Sequence, residues 1–405
     1  MNLIIMKFGG TSVANIEKIK NVAKIVKKES KSHKIIVVLS AMAGVTNKLQ
    51  SYLESIKLDP SPESDLVLTS GEHVSVGILS ALLKKNDIQS IPLLGWQIPI
   101  ITDLSHENAK ILYIDSSNIE SHLKKVDVIV VAGFQGINLN GQITSLGRGG
   151  SDTTAVAIAV ATKAKRCDIY TDVDGVFTAD PNIEPKAIKI SKVSFEEMLE
   201  MSSMGSKVLH TRSVELAMKN NLTLQVLSSL TNQEGTYVVD ENKLIEKEMI
   251  SGVSYSNNEA KITISGIPDK PGISARIFGI MAENKINVDM IVQNISQDGV
   301  FANITFTVPI KYINISKKLL EKKSNNVNFK SVTSDKNVAK VSVIGKGMMS
   351  QSGVAEKMFK ILAENSINIL AISTSEIKIS VLIEKKHTEL AVKSLHEGYN
   401  LDSIK

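Results

Sequence analysis

One cysteine in 405 residues excludes a disulfide framework within the chain and fits a reducing compartment. Cys167 opens an apolar run, so it is expected at a buried strand end rather than as a nucleophile. Aromatics make up 4% of the residues, too few for base-stacking platforms. Net charge is only +5 and the lysines are scattered, which argues against nucleic-acid or membrane partners. The seven histidines show no metal-ligand spacing, so a zinc site is not expected. No apolar run approaches the ~18 residues of a membrane span. The N-terminal "LIIM" is too short for a signal-peptide core. These absences together predict a cytoplasmic protein. Arginine is also scarce: Arg148, Arg166, Arg212 and Arg276 are the whole set.

What is present is ordinary globular composition, 43% hydrophobic and 22% charged, in a length that suits two or three domains. Residues 1–240 alternate short apolar runs with helical patterns. "NLIIMKF", "KIIVVLS", "DVIVVAGF" and "RCDIYTD" read as central strands. Val13, Ile16, Ile19, Val22, Ala23 and Val26 form one helix face, and "TAVAIAVATKA" reads as a buried helix. The alternation predicts an α/β domain with an open, mostly parallel sheet between helices. "LDPSPESD", residues 58–65, reads as a surface loop. Residues 241–260 are polar and read as a linker.

The remainder repeats itself. "PGISARIFGIMAENKINVDMI" realigns on "SGVAEKMFKILAENSINILAI" with a shift of 81, and Gly272, Phe278, Asn284 and Asn287 recur as Gly353, Phe359, Asn365 and Asn368. Two small α+β modules of one kind are expected, over 261–335 and 336–405.

Four stretches carry chemistry. In "KFGGTSV", Lys7 ends an apolar strand, and Gly9 and Gly10 let a ligand approach the start of a helix opened by Thr11 or Ser12. A lysine ahead of its glycines is the reverse of the P-loop order. In "TSLGRGGSDTTA", Gly147, Gly149 and Gly150 surround Arg148, whose fork suits a carboxylate or phosphate, with Ser151 or Asp152 as helix cap. "YTDVDGVFTADP" crowds Asp172, Asp174 and Asp180 into turns that suit Mg²⁺ or lysines, or only solvent. "MSSMGSKVLHTRSVELA" places Lys207 at a helix start. Glu72 adds a carboxylate in the first turn of a helix capped by Ser70, and Ser40 and Thr46 follow a strand.

Taken in order, these stretches resemble the motif series of the aspartokinases in the amino-acid kinase superfamily. The C-terminal repeat resembles their paired ACT domains, which have a ferredoxin-like fold. The resemblance covers essentially the whole chain. It implies ATP-dependent phosphorylation of the β-carboxylate of L-aspartate to 4-phospho-L-aspartate, the first step toward lysine, threonine and methionine. Such an acceptor is ionised at neutral pH, so no histidine base is needed. Cations and positioning are needed instead.

The resemblance implies Lys7, Asp152 and Lys207 as catalytic residues. Arg148, Gly149, Gly150 and Ser151 would hold the substrate α-carboxylate, Glu72 its ammonium, and Ser40 and Thr46 a carboxylate. ATP would meet Lys7, Phe8, Gly9 and Gly10 on one side and Lys207 and Val208 on the other. Thr171, Asp172, Phe177, Thr178 and Asp180 would line the nucleotide. Mg²⁺ would be held through ATP phosphates rather than by a protein metal site. Where the family often has tyrosine and arginine, this chain has Phe177 and Asn182, losing a hydroxyl and a cation. In the ACT pair, an effector, lysine or threonine or both, would meet Asp269, Gly272, Ser274, Ala275, Asp289 and Gln293. Val354, Asn368 and Ile369 would complete its site, and the modules would join a homodimer or higher oligomer. Two rivals stay open: a sister kinase acting on N-acetylglutamate, glutamate or UMP, and an amino-acid sensor with a degenerate kinase domain. Arg148 with Glu72 argues against the first, and the joint presence of Lys7, Arg148, Asp152 and Lys207 against the second.

Overall fold

The computed structural model describes residues 2–203, 208–231, 233–243, 250–296, 299–322, 328–346 and 353–403. They form two compact units. The first comprises Met1–Val176 and Lys189–Glu246, the second Phe177–Ile188 and Lys247–Lys405.

The first unit is built on an eight-stranded sheet. Its order is Lys192–Ser194, Thr236–Val239, Leu224–Ser228, Cys167–Thr171, Asn2–Phe8, His33–Leu39, Val128–Ala132 and Ser90–Leu93. Neighbours run parallel except Leu224–Ser228 against Thr236–Val239. The four strands expected from apolar runs sit side by side at its centre. One face of these strands, Ile4, Met6, Phe8, Ile35, Val37, Leu39, Val128 and Val130, is wholly buried. It packs on Ile19, Val22 and Val26 of the helix Ile16–Glu29 and on Val76, Leu79 and Leu83 of Ser70–Lys85. Each such side chain contributes roughly 1.5–3 kcal/mol on burial. Parallel strands covered on both faces have no solvent side, which is why they read as continuous apolar runs. Cys167 is buried at the first position of its strand, as expected.

At the strands' N-terminal ends lies an ion cluster. Asp168 is fully buried and accepts from Arg166 Nε at 2.8 Å, and Glu29 Oε2 lies 3.7 Å from Arg166 Nη2. Burial pushes the Asp168 carboxyl up to about 6, opposed by Arg166.

Local starts differ from expectation at three helices. Gly10–Val13 forms a 3-10 turn, and the long helix begins at Ile16 with Asn15 as cap, its side chain accepting from Lys18 N at 2.9 Å. The expected surface loop contains the helix Pro62–Leu68. Ser61 caps it, Pro62 takes the first helical position, and Ser64 Oγ accepts in return from Ser61 N at 3.0 Å. The next helix, Ser70–Lys85, is preceded by Thr69, not capped by Ser70, whose hydroxyl donates to Val67 O. Together Pro62–Lys85 is long and apolar enough to cross a membrane by length and composition, a run the sequence reading did not find; half of its most apolar 18-residue window is buried in the protein. It carries the buried carboxylates Asp65 and Glu72, as a core helix pair can and a lipid-facing span cannot cheaply do.

The second unit holds two four-stranded antiparallel sheets, one per repeat. The first is Asp289–Ile295, Phe301–Pro309, Glu259–Pro268 and Ser331–Asp335; the second is Gly252–Ser256, Val338–Ile344, Lys378–Glu384 and Ala371–Thr374. Their helices, Ile273–Glu283 and Val354–Glu364, both open at a left-handed glycine, Gly272 at φ +88° and Gly353 at φ +102°. The strand Gly252–Ser256 lies inside the stretch expected as linker, yet it pairs with Val338–Ile344. Its partner lies far along the chain, so local composition could not reveal it. The segment Phe177–Ile188 also belongs to this unit, although residues 1–240 read as one domain. Thr178 Oγ1 lies 2.9 Å from His396 Nε2, Val253 N donates to Thr178 O at 2.7 Å, and Ala179 is buried in the second module's core.

Candidate active site

The C-terminal ends of the central strands converge through backbone contacts. Ser40 N donates to Phe8 O at 3.2 Å, and Gly133 N donates to Leu39 O at 2.9 Å. Glycine is required where these ends meet. A Cβ on Gly10 would lie 2.9 Å from Ala41 O, and one on Gly133 would lie 2.8 Å from Ser151 Oγ. In open α/β sheets this edge is where ligands gather.

Lys7 stands one residue from the end of its strand, level with Val38 and Ile169. Its ammonium meets Asp152 Oδ1 at 2.5 Å, both side chains being 12% exposed. Asp152 is the third residue of the helix Gly150–Ala161. The residue before that helix is Gly149, at φ +69°, so neither Ser151 nor Asp152 caps it. Gly150 N donates to Gly147 O at 3.0 Å, so with no capping side chain the amides of Ser151 and Asp152 are the ones without an acceptor among the described residues. A Cβ on Gly9 would lie 3.4 Å from Lys7 Nζ, so the glycine keeps the approach to the ammonium open.

Glu72 sits opposite in chemistry. It is buried, and Oε1 accepts from Ala41 N at 3.0 Å while Oε2 has no hydrogen-bond partner among the described residues. Burial pushes its carboxyl up to about 7, against the pull of the Ala41 amide. A buried carboxylate with a free oxygen suits a cationic guest. Ser75 Oγ fixes the neighbouring turn by donating to Ser40 O at 2.8 Å. Ser40 and Thr46 are half-buried, Thr46 in a helix that starts after Gly44 at φ +82°. Gly150 and Ser151 are buried, whereas Arg148 is exposed and has no ion-pair partner among the described residues.

On the remaining flank, Thr171 ends its strand and donates to Asp172 Oδ1 at 3.1 Å. Phe8 and Tyr170 stack at 4.4 Å, and Ser12 Oγ meets Ser229 Oγ at 2.8 Å. Val208 is half-buried; Lys207 lies outside the described residues. Phe177, Thr178 and Asp180 are part of the second unit, where Asp180 accepts from the Tyr255 hydroxyl at 3.1 Å and from Asn182 N at 2.9 Å. Asp174 instead accepts from Thr231 Oγ1 at 2.6 Å. Among the described residues, no three acidic, histidine or cysteine side chains converge as a cation cage.

Of the expected effector residues, Ser274 Oγ donates to Gln293 Oε1 at 3.2 Å. Asp269, Gly272 and Ala275 are exposed around that helix start. Asp289 is engaged: Lys340 Nζ, itself buried, lies 2.5 Å from its Oδ2. Partial burial raises the Asp289 carboxyl, but Lys340 overcomes this and holds it below the usual range. In the second module, Val354 is buried at its helix start, Asn368 is exposed and Ile369 half-buried.

Sequence reasoning missed three side chains beside the Arg148 turn. Asp65 is fully buried and accepts from Ser145 Oγ and Glu107 N; His106 Nδ1 lies 2.7 Å from its other oxygen. Arg212 donates to the carbonyls of Leu146 and Ala109. The scarcity of arginine was the one signal that pointed at Arg212.

Comparison with known proteins bears directly on this constellation. Residues 2–228 match the amino acid kinase family, and residues 262–323 and 341–399 match an ACT domain. An aspartate kinase of Pseudomonas putida is 48% identical over 406 residues, covering 100% of this chain and 98% of that protein. The chain belongs to the aspartokinase family. It is an enzyme, an aspartate kinase. Its fold matches E. coli aspartokinase III in complex with aspartate and ADP, with a TM-score of 0.80 at 25% identity over 98% of this chain and 99% of that one. The same E. coli enzyme in complex with lysine and aspartate gives a TM-score of 0.76 at 26% identity, covering 98% of this chain and 99% of that one. In this aspartokinase the parallel-sheet edge and the paired ACT modules expected from sequence are both present.

Proposed function

We propose that the enzyme transfers the γ-phosphoryl of ATP to the β-carboxylate of L-aspartate through the Lys7–Asp152 pair. The observation that carries this reading is a half-buried lysine ammonium held against a helix-borne carboxylate at the sheet edge. Joining an anionic carboxylate to an anionic phosphate is limited by charge and alignment, not by proton removal. Lys7 neutralises charge on the moving phosphoryl, and Asp152 holds Lys7 in place. Lys207 meets the ATP phosphates from a second direction. A Mg²⁺ held by the ATP phosphates rather than by side chains of this chain would supply further charge neutralisation. Arg148 grips the α-carboxylate with Gly149, Gly150 and Ser151. Glu72 takes the α-ammonium on its unpartnered oxygen, and Ser40 and Thr46 donate to a substrate carboxylate. Thr171 and Asp172 flank the nucleotide.

The ACT pair senses an end-product amino acid. Support comes from the E. coli relative described in complex with lysine and from the glycine-opened helix whose Ser274 hydroxyl donates to Gln293. The enzyme acts in the cytoplasm, at the head of the route to lysine, threonine and methionine, as a homodimer or larger assembly through its ACT modules. A hydroxylamine-trapping assay with ATP and aspartate, run with lysine and threonine singly and together, tests both parts. Hydroxamate that requires aspartate supports the transfer; suppression by either amino acid supports the sensing. Rates indifferent to both amino acids would remove the regulatory reading and leave the transfer intact.

A further inference from the structure

We propose that Asp65 and Arg212 are positioning residues that fix the Gly147–Arg148–Gly149 turn and thereby set affinity for the substrate α-carboxylate. The inference rests on the reading that Arg148 grips that carboxylate.

The turn needs outside support. Gly147 and Gly149 are both left-handed, at φ +73° and +69°. The backbone is therefore permissive on both sides of Arg148. Arg148 itself is exposed and without an ion-pair partner among the described residues. What holds it must come from the chain on either side and from the segment packed beneath.

That segment is 103–109. Its Ala109 N donates to Ser145 O at 2.9 Å, and a Cβ on Gly147 would lie 2.9 Å from Glu107 O and from Asn108 Oδ1. Asp65 joins this arm to the strand Ile143–Ser145 that leads into the turn. Its Oδ1 accepts from Ser145 Oγ at 2.5 Å and from Glu107 N at 3.0 Å, while Oδ2 faces His106 Nδ1 at 2.7 Å. A fully buried carboxylate costs several kcal/mol unless it is this thoroughly satisfied. Spending one on two backbone arms is unnecessary for helix Pro62–Leu68 itself.

Arg212 makes the same join from the other side. Nη1 donates to Leu146 O at 3.0 Å and Nη2 donates to Ala109 O at 2.8 Å. The fork thus bridges the residue before Gly147 to the end of the 103–109 arm. Arg212 is the second residue of the helix Thr211–Lys219, where the helix dipole disfavours a cation. Its placement does not serve that helix. The cap of the same helix, His210, packs against the turn directly: a Cβ on Gly149 would fall 2.2 Å from its ring. Among the described residues neither Asp65 nor Arg212 hydrogen-bonds with Arg148, so both act through the segments they join.

The test compares Arg212→Met, Arg212→Lys and Asp65→Asn with Arg148→Lys in steady-state kinetics, with thermal unfolding measured for each. Supporting groups of this kind shift binding by roughly 10–100-fold when removed. The expected result is a KM for aspartate raised about 10-fold or more in Arg212→Met and Asp65→Asn, with kcat and the KM for ATP within about threefold. Arg212→Lys should fall between Arg212→Met and wild type. An unchanged KM for aspartate in Arg212→Met, or a parallel loss in all parameters that tracks the melting temperature, overturns the proposal. Should Asp65→Asn fail to fold, the half-buried Arg212 decides alone. A raised KM in Arg148→Lys with a normal one in Arg212→Met sinks only the bracing; a normal KM in Arg148→Lys sinks the α-carboxylate reading beneath it.

Discussion

Lys7 Nζ and Asp152 Oδ1 meet at 2.5 Å although one is the penultimate residue of the first strand and the other lies in the first turn of a helix far along the chain. Neither residue can keep its charge cheaply in this half-dry position without the other. The pair also explains the reversed order of lysine and glycines. A P-loop wraps phosphate with one loop and its own lysine; here the strand supplies the cation and a remote helix supplies its anchor.

Asp152→Asn should weaken that anchor while leaving a polar side chain of the same size. We expect kcat to fall by about 10-fold or more with a smaller change in the KM for aspartate. Steady-state kinetics at saturating ATP checks this. A kcat within twofold of wild type would release Asp152 from the role.

Glu72 gives a pH signature. Its carboxyl sits at about 7 in the folded chain against 4.5 as the ordinary value. The folded state therefore binds the extra proton between those values, and stability falls as pH rises from about 4.5 to about 7, by up to about 3 kcal/mol. Above 7 the loss is complete and constant. Glu72→Gln should flatten that slope in denaturant titrations taken across the window. The ammonium of aspartate favours the ionised form, so the KM for aspartate should drop between pH 6 and 8 in the wild type and not in Glu72→Gln.

Gly149→Ala places a methyl at φ +69° and 2.2 Å from the His210 ring. Both the backbone and the contact oppose it, and the turn must move. The expected outcome is a KM for aspartate raised about 10-fold or more, with a melting temperature lowered by a few degrees. Gly141→Ala, also left-handed but in open space, should lower the melting temperature through backbone strain alone, by less than Gly149→Ala, and leave the KM for aspartate alone.

Arg166→Met should strand Asp168 in the sheet interior. Breaking a buried pair from one side costs about 3–5 kcal/mol, which here lowers the melting temperature on the order of 10 °C. The double variant Arg166→Met with Asp168→Leu should recover most of it. No recovery would mean that the cluster is not held by this pair.

The central strands were legible because burial on both faces leaves only apolar residues, as in Ile4–Met6 and Ile35–Leu39. The paired modules were legible because the chain repeats. The helix starts were harder. Gly149 and Asn15 hold positions that the nearby Ser151, Thr11 and Ser12 could equally have claimed, and only the tertiary path chooses. Ser61–Pro62 is a helix-start signal that the surrounding prolines and acids disguised as a loop. Lys7, Glu72 and Arg148 stood out as charges among glycines or apolar residues. Asp65 and Arg212 did not, because their partners are mostly backbone amides and carbonyls from distant segments. Such partners leave no residue-type pattern to read.

The most direct test of the account is the rate of aspartate hydroxamate formation by Lys7→Ala at saturating ATP and aspartate, beside its KM for aspartate and its melting temperature. Loss of one aligned charge at a developing anion costs roughly 100-fold or more in kcat. The account predicts that loss with the KM for aspartate near wild type, while the melting temperature falls because Asp152 loses its partner. A Lys7→Ala enzyme that keeps its kcat would contradict it.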